Sequence, residues 1–101
     1  MKTLDNTSVE DVKKNVSDVK IVGNGDSFRL LCKASSKEQG WMKSCKAYEI
    51  DGVGCIVQVT TQQGDNIAEA LTFVPGVTIV EDINGGRCLR KLWIEETSYL
   101  L

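Results

Sequence analysis

The chain contains no histidine. This removes the commonest general base, the commonest metal ligand and the side chain whose charge changes near neutral pH. Apolar runs last only a few residues, far short of the roughly 20 that a membrane-crossing helix needs. The opening Met1-Lys2-Thr3-Leu4-Asp5-Asn6 has no apolar run after its basic residue. The expectation is therefore a soluble cytoplasmic chain without a secretory signal. Twelve basic and fourteen acidic side chains leave a net charge of -2, so no strong global field selects a nucleic-acid or membrane partner. Close cysteine pairs are also absent. Cys32, Cys45, Cys55 and Cys88 are widely spaced, whereas structural zinc sites take their ligands in close pairs. With no histidine to activate a thiol, cysteine catalysis has no support either. Cys32, Cys45 and Cys55 read as small buried hydrophobes on strands. No cofactor and no metal is implied.

What remains is the composition of an ordinary globular protein: 101 residues, 42% hydrophobic and 26% charged. That length buries roughly 65% of the unfolded surface, enough for one core without a staple. With no internal repeat or linker, residues 1–101 read as a single domain, with 1–7 and 96–101 as loose ends.

Ser8 offers an N-cap, and Val9, Val12, Val16 and Val19 follow at helical spacing, with Glu10 and Asp11 suited to the first turn. The pattern predicts an amphipathic helix of about three turns with a valine stripe for docking. After Gly23-Asn24-Gly25-Asp26 the period changes to two. Phe28, Leu30, Cys32 and Ala34 alternate with Arg29, Leu31 and Lys33. Further extended runs are expected at 41–50, 55–60, 67–74, 77–81 and 87–94. The run at 67–74 could also open a short helix, but Leu71-Thr72-Phe73-Val74 leading into Pro75-Gly76 favours a strand. Asn84-Gly85 is the strongest hairpin signal. The fold class expected is α+β: one N-terminal helix, then five or six antiparallel strands in a sheet that lies on the helix or closes into a small barrel.

Residues 27–50 hold five basic side chains against two acidic ones. Arg29, Lys33, Lys43 and Lys46 with Trp41 would suit single-stranded nucleic acid, cations meeting phosphates and the ring stacking on bases. Lysines at strand edges also discourage aggregation, and Trp41 serves equally as a plug over the core. Trp41, Met42 and Lys43 beside a polar loop would equally make a protein-binding anchor. On the distal strand Arg87, Leu89, Lys91 and Trp93 would share one face as a second small basic–aromatic patch, and Arg90 with Trp93 adds to the candidate anchors for a partner protein. The glycine pairs lack the strand–loop–helix setting of a phosphate cradle. Glu81-Asp82 and Glu95-Glu96 are strand neighbours that point to opposite faces, which makes poor acid/base pairs.

The stretch Gly40-Trp41-Met42-Lys43-Ser44-Cys45-Lys46-Ala47, continuing through Gly54-Cys55-Ile56-Val57-Gln58-Val59-Thr60-Thr61-Gln62-Gln63 to Phe73-Val74-Pro75-Gly76-Val77, resembles small bacteriophage-encoded accessory proteins. The resemblance implies an early viral protein that binds and redirects or inhibits a host protein, or protects phage nucleic acid, in the host cytoplasm. It carries no catalytic residue with it. The expected function is non-catalytic binding of a host protein through Trp41, Met42, Lys43, Arg90 and Trp93. The alternatives are the nucleic-acid module and a nucleotide sponge at an oligomer interface. Self-association into a homodimer is a further way for a short sheet to finish its core.

Overall fold

The computed structural model describes residues 8–23 and 27–92. The expected loose ends at 1–7 and 96–101, and Trp93, lie outside the described residues. The helix α1 spans Val9–Asn15, and the Ser8 Oγ accepts a hydrogen bond from the Asp11 amide at 3.1 Å. The N-cap is therefore where the sequence puts it, but the helix is shorter than three turns. Val16 is already extended and exposed, and no residue of α1 is buried. Valine is a modest helix former, and without buried contacts nothing sustains a third turn.

Among the described residues six strands follow: β1 (Arg29–Ser36), β2 (Trp41–Ile50), β3 (Gly54–Gln63), β4 (Asn66–Pro75), β5 (Val77–Glu81) and β6 (Arg87–Lys91). They form two antiparallel sheets. β1 to β4 make a four-stranded meander in sequence order, and β5 and β6 make a separate hairpin. Neither sheet closes, so the single sheet and the barrel are both corrected. Gly76 at φ +70, between β4 and β5, breaks the meander there. The helix/strand ambiguity at 67–71 resolves to strand, since all of it pairs with β3.

Strand register assigns every side chain to one of two faces. Met42, Ser44 and Lys46 stand opposite Gln62, Thr60 and Gln58, which in turn meet Ile67, Glu69 and Leu71. This is the Met42 face. The Trp41 face carries Trp41, Lys43, Cys45, Ala47 and Glu49. The expected alternation of Phe28, Leu30, Cys32 and Ala34 on one face does not hold. The register shifts between Leu30 and Cys32, so Leu31 bulges out. Leu30 then pairs with Lys46 on the Met42 face, while Cys32 pairs with Cys45 on the Trp41 face. Phe28 packs edge-on against Tyr48, ring centroids 5.7 Å apart.

Among the described residues the buried apolar side chains are Met42 on one face and Ala47 and Cys55 on the other. Ser44, Thr60 and Gln62 are buried beside Met42. Gln62 Nε2 donates to the Gly64 carbonyl at 3.1 Å and Thr60 Oγ1 to Glu69 at 3.5 Å, which meets their polar demand. The β5–β6 hairpin sits on the Trp41 face at the Glu49 end of the meander. Cys55 Sγ contacts the Val77 carbonyl at 3.8 Å and Arg87 donates to the Leu30 carbonyl at 3.5 Å.

Candidate functional site

β4 pairs with β3 through ten consecutive residues and, among the described residues, has no partner along its other edge. The two-residue turn Gly64-Asp65, with Gly64 at φ +63, joins Gln63 to Asn66 as a hydrogen-bonded pair. Alternation from that pair turns the amides and carbonyls of Asn66, Ala68, Ala70, Thr72 and Val74 toward β3. Those of Ile67, Glu69, Leu71 and Phe73 are left facing outward. The same four residues line up on the Met42 face, where Ile67 is 53%, Leu71 64% and Phe73 47% exposed. An edge strand is normally defended by lysines, an internal proline or a bulge. β4 has none of these: its register is unbroken, its only charge is Glu69 and Pro75 stands at its last position.

Beside this edge, at the end of the sheet where the β1–β2 and β3–β4 turns lie, is an open groove of about 710 Å³. Trp41, Lys43, Gln63, Asn66, Ile67 and Ala68 line it. The four-residue turn 37–40 positions Trp41. Gly40 takes φ +71, Ser36 Oγ accepts from the Gln39 amide at 3.1 Å, and Trp41 Nε1 donates to Gln39 Oε1 at 2.7 Å. The indole is held half-buried while Lys43 projects into solvent two residues along the same face.

The structure thus brings Trp41 and Lys43 together. Met42 also borders the groove, but it is only 3% exposed and its side chain belongs to the opposite face. It supports the site from within and offers no surface of its own. Arg90 is exposed on β6, in the other sheet, opposite Thr78.

The five residues of the nucleic-acid reading do not share one surface. Arg29, Trp41 and Lys43 lie on the Trp41 face, Lys33 and Lys46 on the Met42 face. A strand laid across either face meets at most three of them. Arg29 instead shares a polar cleft of about 390 Å³ with Arg87, Glu49 and Glu81, where the two signs balance. Arg87 Nε lies 4.0 Å from Glu81 Oε1, a partly exposed pair of little energetic weight. In that cleft Glu49 Oε1 accepts from the Ile79 amide at 2.7 Å and from Thr78 Oγ1 at 2.8 Å. These bonds, the Ile79 amide foremost, hold its carboxyl below the usual carboxylate range against a smaller opposing effect of burial. Burial, and secondarily the charge of Glu49, pushes the Cys55 thiol up. Among the described residues no group of three or more Cys, Asp or Glu side chains converges as a metal would require.

The β4 stripe was missed by sequence reasoning. Its signal was present in the alternation of Ile67, Leu71 and Phe73 with a single charge, but the alternation does not reveal that the strand ends a sheet. The family model that matches this chain is that of the Lockin family, over residues 1–90. The chain belongs to the Lockin family. The match takes in α1, the whole meander and the β5–β6 hairpin up to Arg90. No curated protein and no solved structure gives a significant match to this Lockin-family chain. Among the described residues no helix is long and apolar enough to cross a membrane.

Proposed function

We propose that this Lockin-family chain is a non-catalytic accessory protein of bacteriophage type, acting in the host cytoplasm by binding a host protein. Its occupant is an extended apolar segment of that protein, laid along β4 as a fifth strand. The observation that carries this reading is the undefended edge, where outward amides and carbonyls coincide with the exposed Ile67, Leu71 and Phe73. Backbone bonds to a sheet edge give affinity, and alternate side chains give specificity. The one charge on the stripe, Glu69, favours a basic residue opposite it. Trp41 and Lys43 lie on the opposite face of the sheet from that stripe, in the groove that Asn66 and Ala68 of β4 also line. The added strand's side chains that alternate to that face would reach them. A large ring already fixed by Gln39 loses little freedom on binding.

The test is a pull-down from bacterial lysate with the tagged full chain, with and without nuclease, at low and moderate salt. The Leu71→Lys variant runs in parallel. One stoichiometric host protein that survives nuclease and salt, and is lost with Leu71→Lys, is the result expected. Capture that is indifferent to Leu71→Lys moves the site away from β4. Mixed nucleic acid that vanishes with salt replaces the reading with the basic-residue one. A chain that sediments as a dimer and dissociates with Leu71→Lys assigns the edge to a second copy.

A further inference from the structure

Of the four thiols, two stand directly across from each other. Cys32 on β1 and Cys45 on β2 are register partners on the Trp41 face, and both are free. Cys55 is buried against the Val77 carbonyl opposite Glu49, and Cys88 lies in the other sheet opposite Val80, so neither faces a cysteine in register. We propose that Cys32 and Cys45 form a dithiol site that low-molecular-weight disulfides oxidise to a cross-strand disulfide.

The geometry supports this at three levels. The alternation that begins at the Gly64-Asp65 turn runs through β3 into β2 and makes Cys32 and Cys45 a hydrogen-bonded pair. The Cα atoms of such a pair are typically about 5.5 Å apart, within the disulfide range of roughly 4.4 to 6.8 Å. The Cβ atoms of a hydrogen-bonded pair, about 5.5 Å apart, must close by about 1–2 Å to bond. The Leu31 bulge adjoins Cys32 and loosens the ladder at that point, on a strand whose far edge is unpaired among the described residues. Finally, the two thiols differ in access: Cys32 is exposed and Cys45 half-buried. Burial, and then the neighbouring Cys32, raises the Cys45 pKa.

That difference sets the order of events. The Cys32 thiolate attacks one sulfur of the small disulfide, forming a mixed disulfide and expelling the first small thiolate, which takes up a proton. Cys45 then loses its proton, and its thiolate attacks the Cys32 sulfur and expels the second small thiolate. The protein gives up two electrons and two protons in all, and one small disulfide becomes two thiols. The bond ties the edge strand β1 to the middle of the sheet.

The experiment incubates the full chain with glutathione disulfide, blocks the remaining thiols and maps tryptic peptides. The result expected is a mass loss of two hydrogens, with Leu30–Lys33 joined to Ser44–Lys46 and with Cys55 and Cys88 still alkylated. Cys45→Ser should accumulate the glutathione adduct at Cys32, whereas Cys32→Ser should form little adduct at Cys45. The linked wild-type protein should melt several degrees higher than the reduced form. Four alkylated thiols after treatment would overturn the proposal. So would a lasting adduct at Cys32 in the wild type, or a link from Cys32 to Cys88. The wild-type map decides the matter even if a serine variant fails to fold.

Discussion

The Glu49 carboxylate on β2 and the Ile79 amide on β5, thirty residues apart in sequence, are joined by a hydrogen bond of 2.7 Å. The same oxygen also accepts from Thr78 Oγ1 at 2.8 Å. One acceptor therefore binds two donors from adjacent residues of the second sheet, alongside the Cys55–Val77 and Arg87–Leu30 contacts between the sheets. Because both donors favour the ionised carboxylate, the attachment depends on pH. The folded-state pKa of Glu49 lies below its unfolded value. Its contribution is thus complete above the ordinary carboxylate range, about pH 5 and up, and is lost as pH falls through the lower folded value. Glu49→Gln should lower the urea midpoint at neutral pH, and the gap from wild type should narrow below about pH 4. A gap constant across that range would show that the charge of Glu49 contributes nothing. Hydrogen exchange gives a local check, because the Ile79 amide should lose protection in Glu49→Ala.

Gly54 begins β3 at a point where the backbone of β4 passes close by. A Cβ there would collide with the Val74 carbonyl oxygen and lie 2.9 Å from Pro75 Cα, both backbone atoms that cannot swing aside. Gly54→Ala should therefore destabilise the chain by about 1–3 kcal/mol, the usual cost of overpacking, read as a lower denaturation midpoint. The matching change at Gly52, where a Cβ meets nothing within 4 Å, isolates the cost of positive φ alone. It should be the milder of the two.

Met42 and Leu71 are both large apolar residues on the same face of the sheet, at opposite extremes of exposure. Met42→Ala should cost about 2–5 kcal/mol, because it empties one of the three buried apolar positions among the described residues. Leu71→Ala should change stability by about 0.5 kcal/mol or less, since that side chain is 64% exposed. Chemical denaturation of the two variants side by side separates residues that hold the fold from residues available to a partner.

Placing a charge on the β4 edge should affect binding without affecting the fold. Leu71→Lys is expected to keep the wild-type denaturation midpoint within about 0.5 kcal/mol and to weaken partner capture at least tenfold, which corresponds to about 1.4 kcal/mol. Equal losses of stability and capture would mean that Leu71 is a structural residue.

Several elements were legible because they are written in local signals. Ser8 with Asp11, the glycine-marked turns and the alternation of β-branched residues each specify their own neighbourhood, and those elements appear where the spacing placed them. Val16 shows the limit of such signals: its spacing suits a helix, but the helix ends before it because nothing there is buried. The Leu31 bulge was illegible for a related reason. Leu30, Leu31 and Cys32 are all apolar, so the local pattern cannot say which of them is extra, and only pairing with β2 decides. Of the site, Trp41 and Lys43 could be chosen by residue type. Met42, chosen with them, faces the other way because neighbours on a strand must. Ile67, Leu71 and Phe73 gained their importance from topology, a property no single strand encodes.

In the meander β1–β2–β3–β4 each strand pairs with its successor, across turns of two to four residues. Closing such short loops costs little entropy, so the sheet can assemble by successive zippering without a long search. The attachment at Glu49 differs, since it joins residues thirty apart and cannot form until both hairpins exist. Refolding should therefore be quick for the four-stranded sheet, with docking of the β5–β6 hairpin as the late event. In the native protein that docking should also be the first interaction to open, making the second sheet a separately exchanging unit of lower local stability.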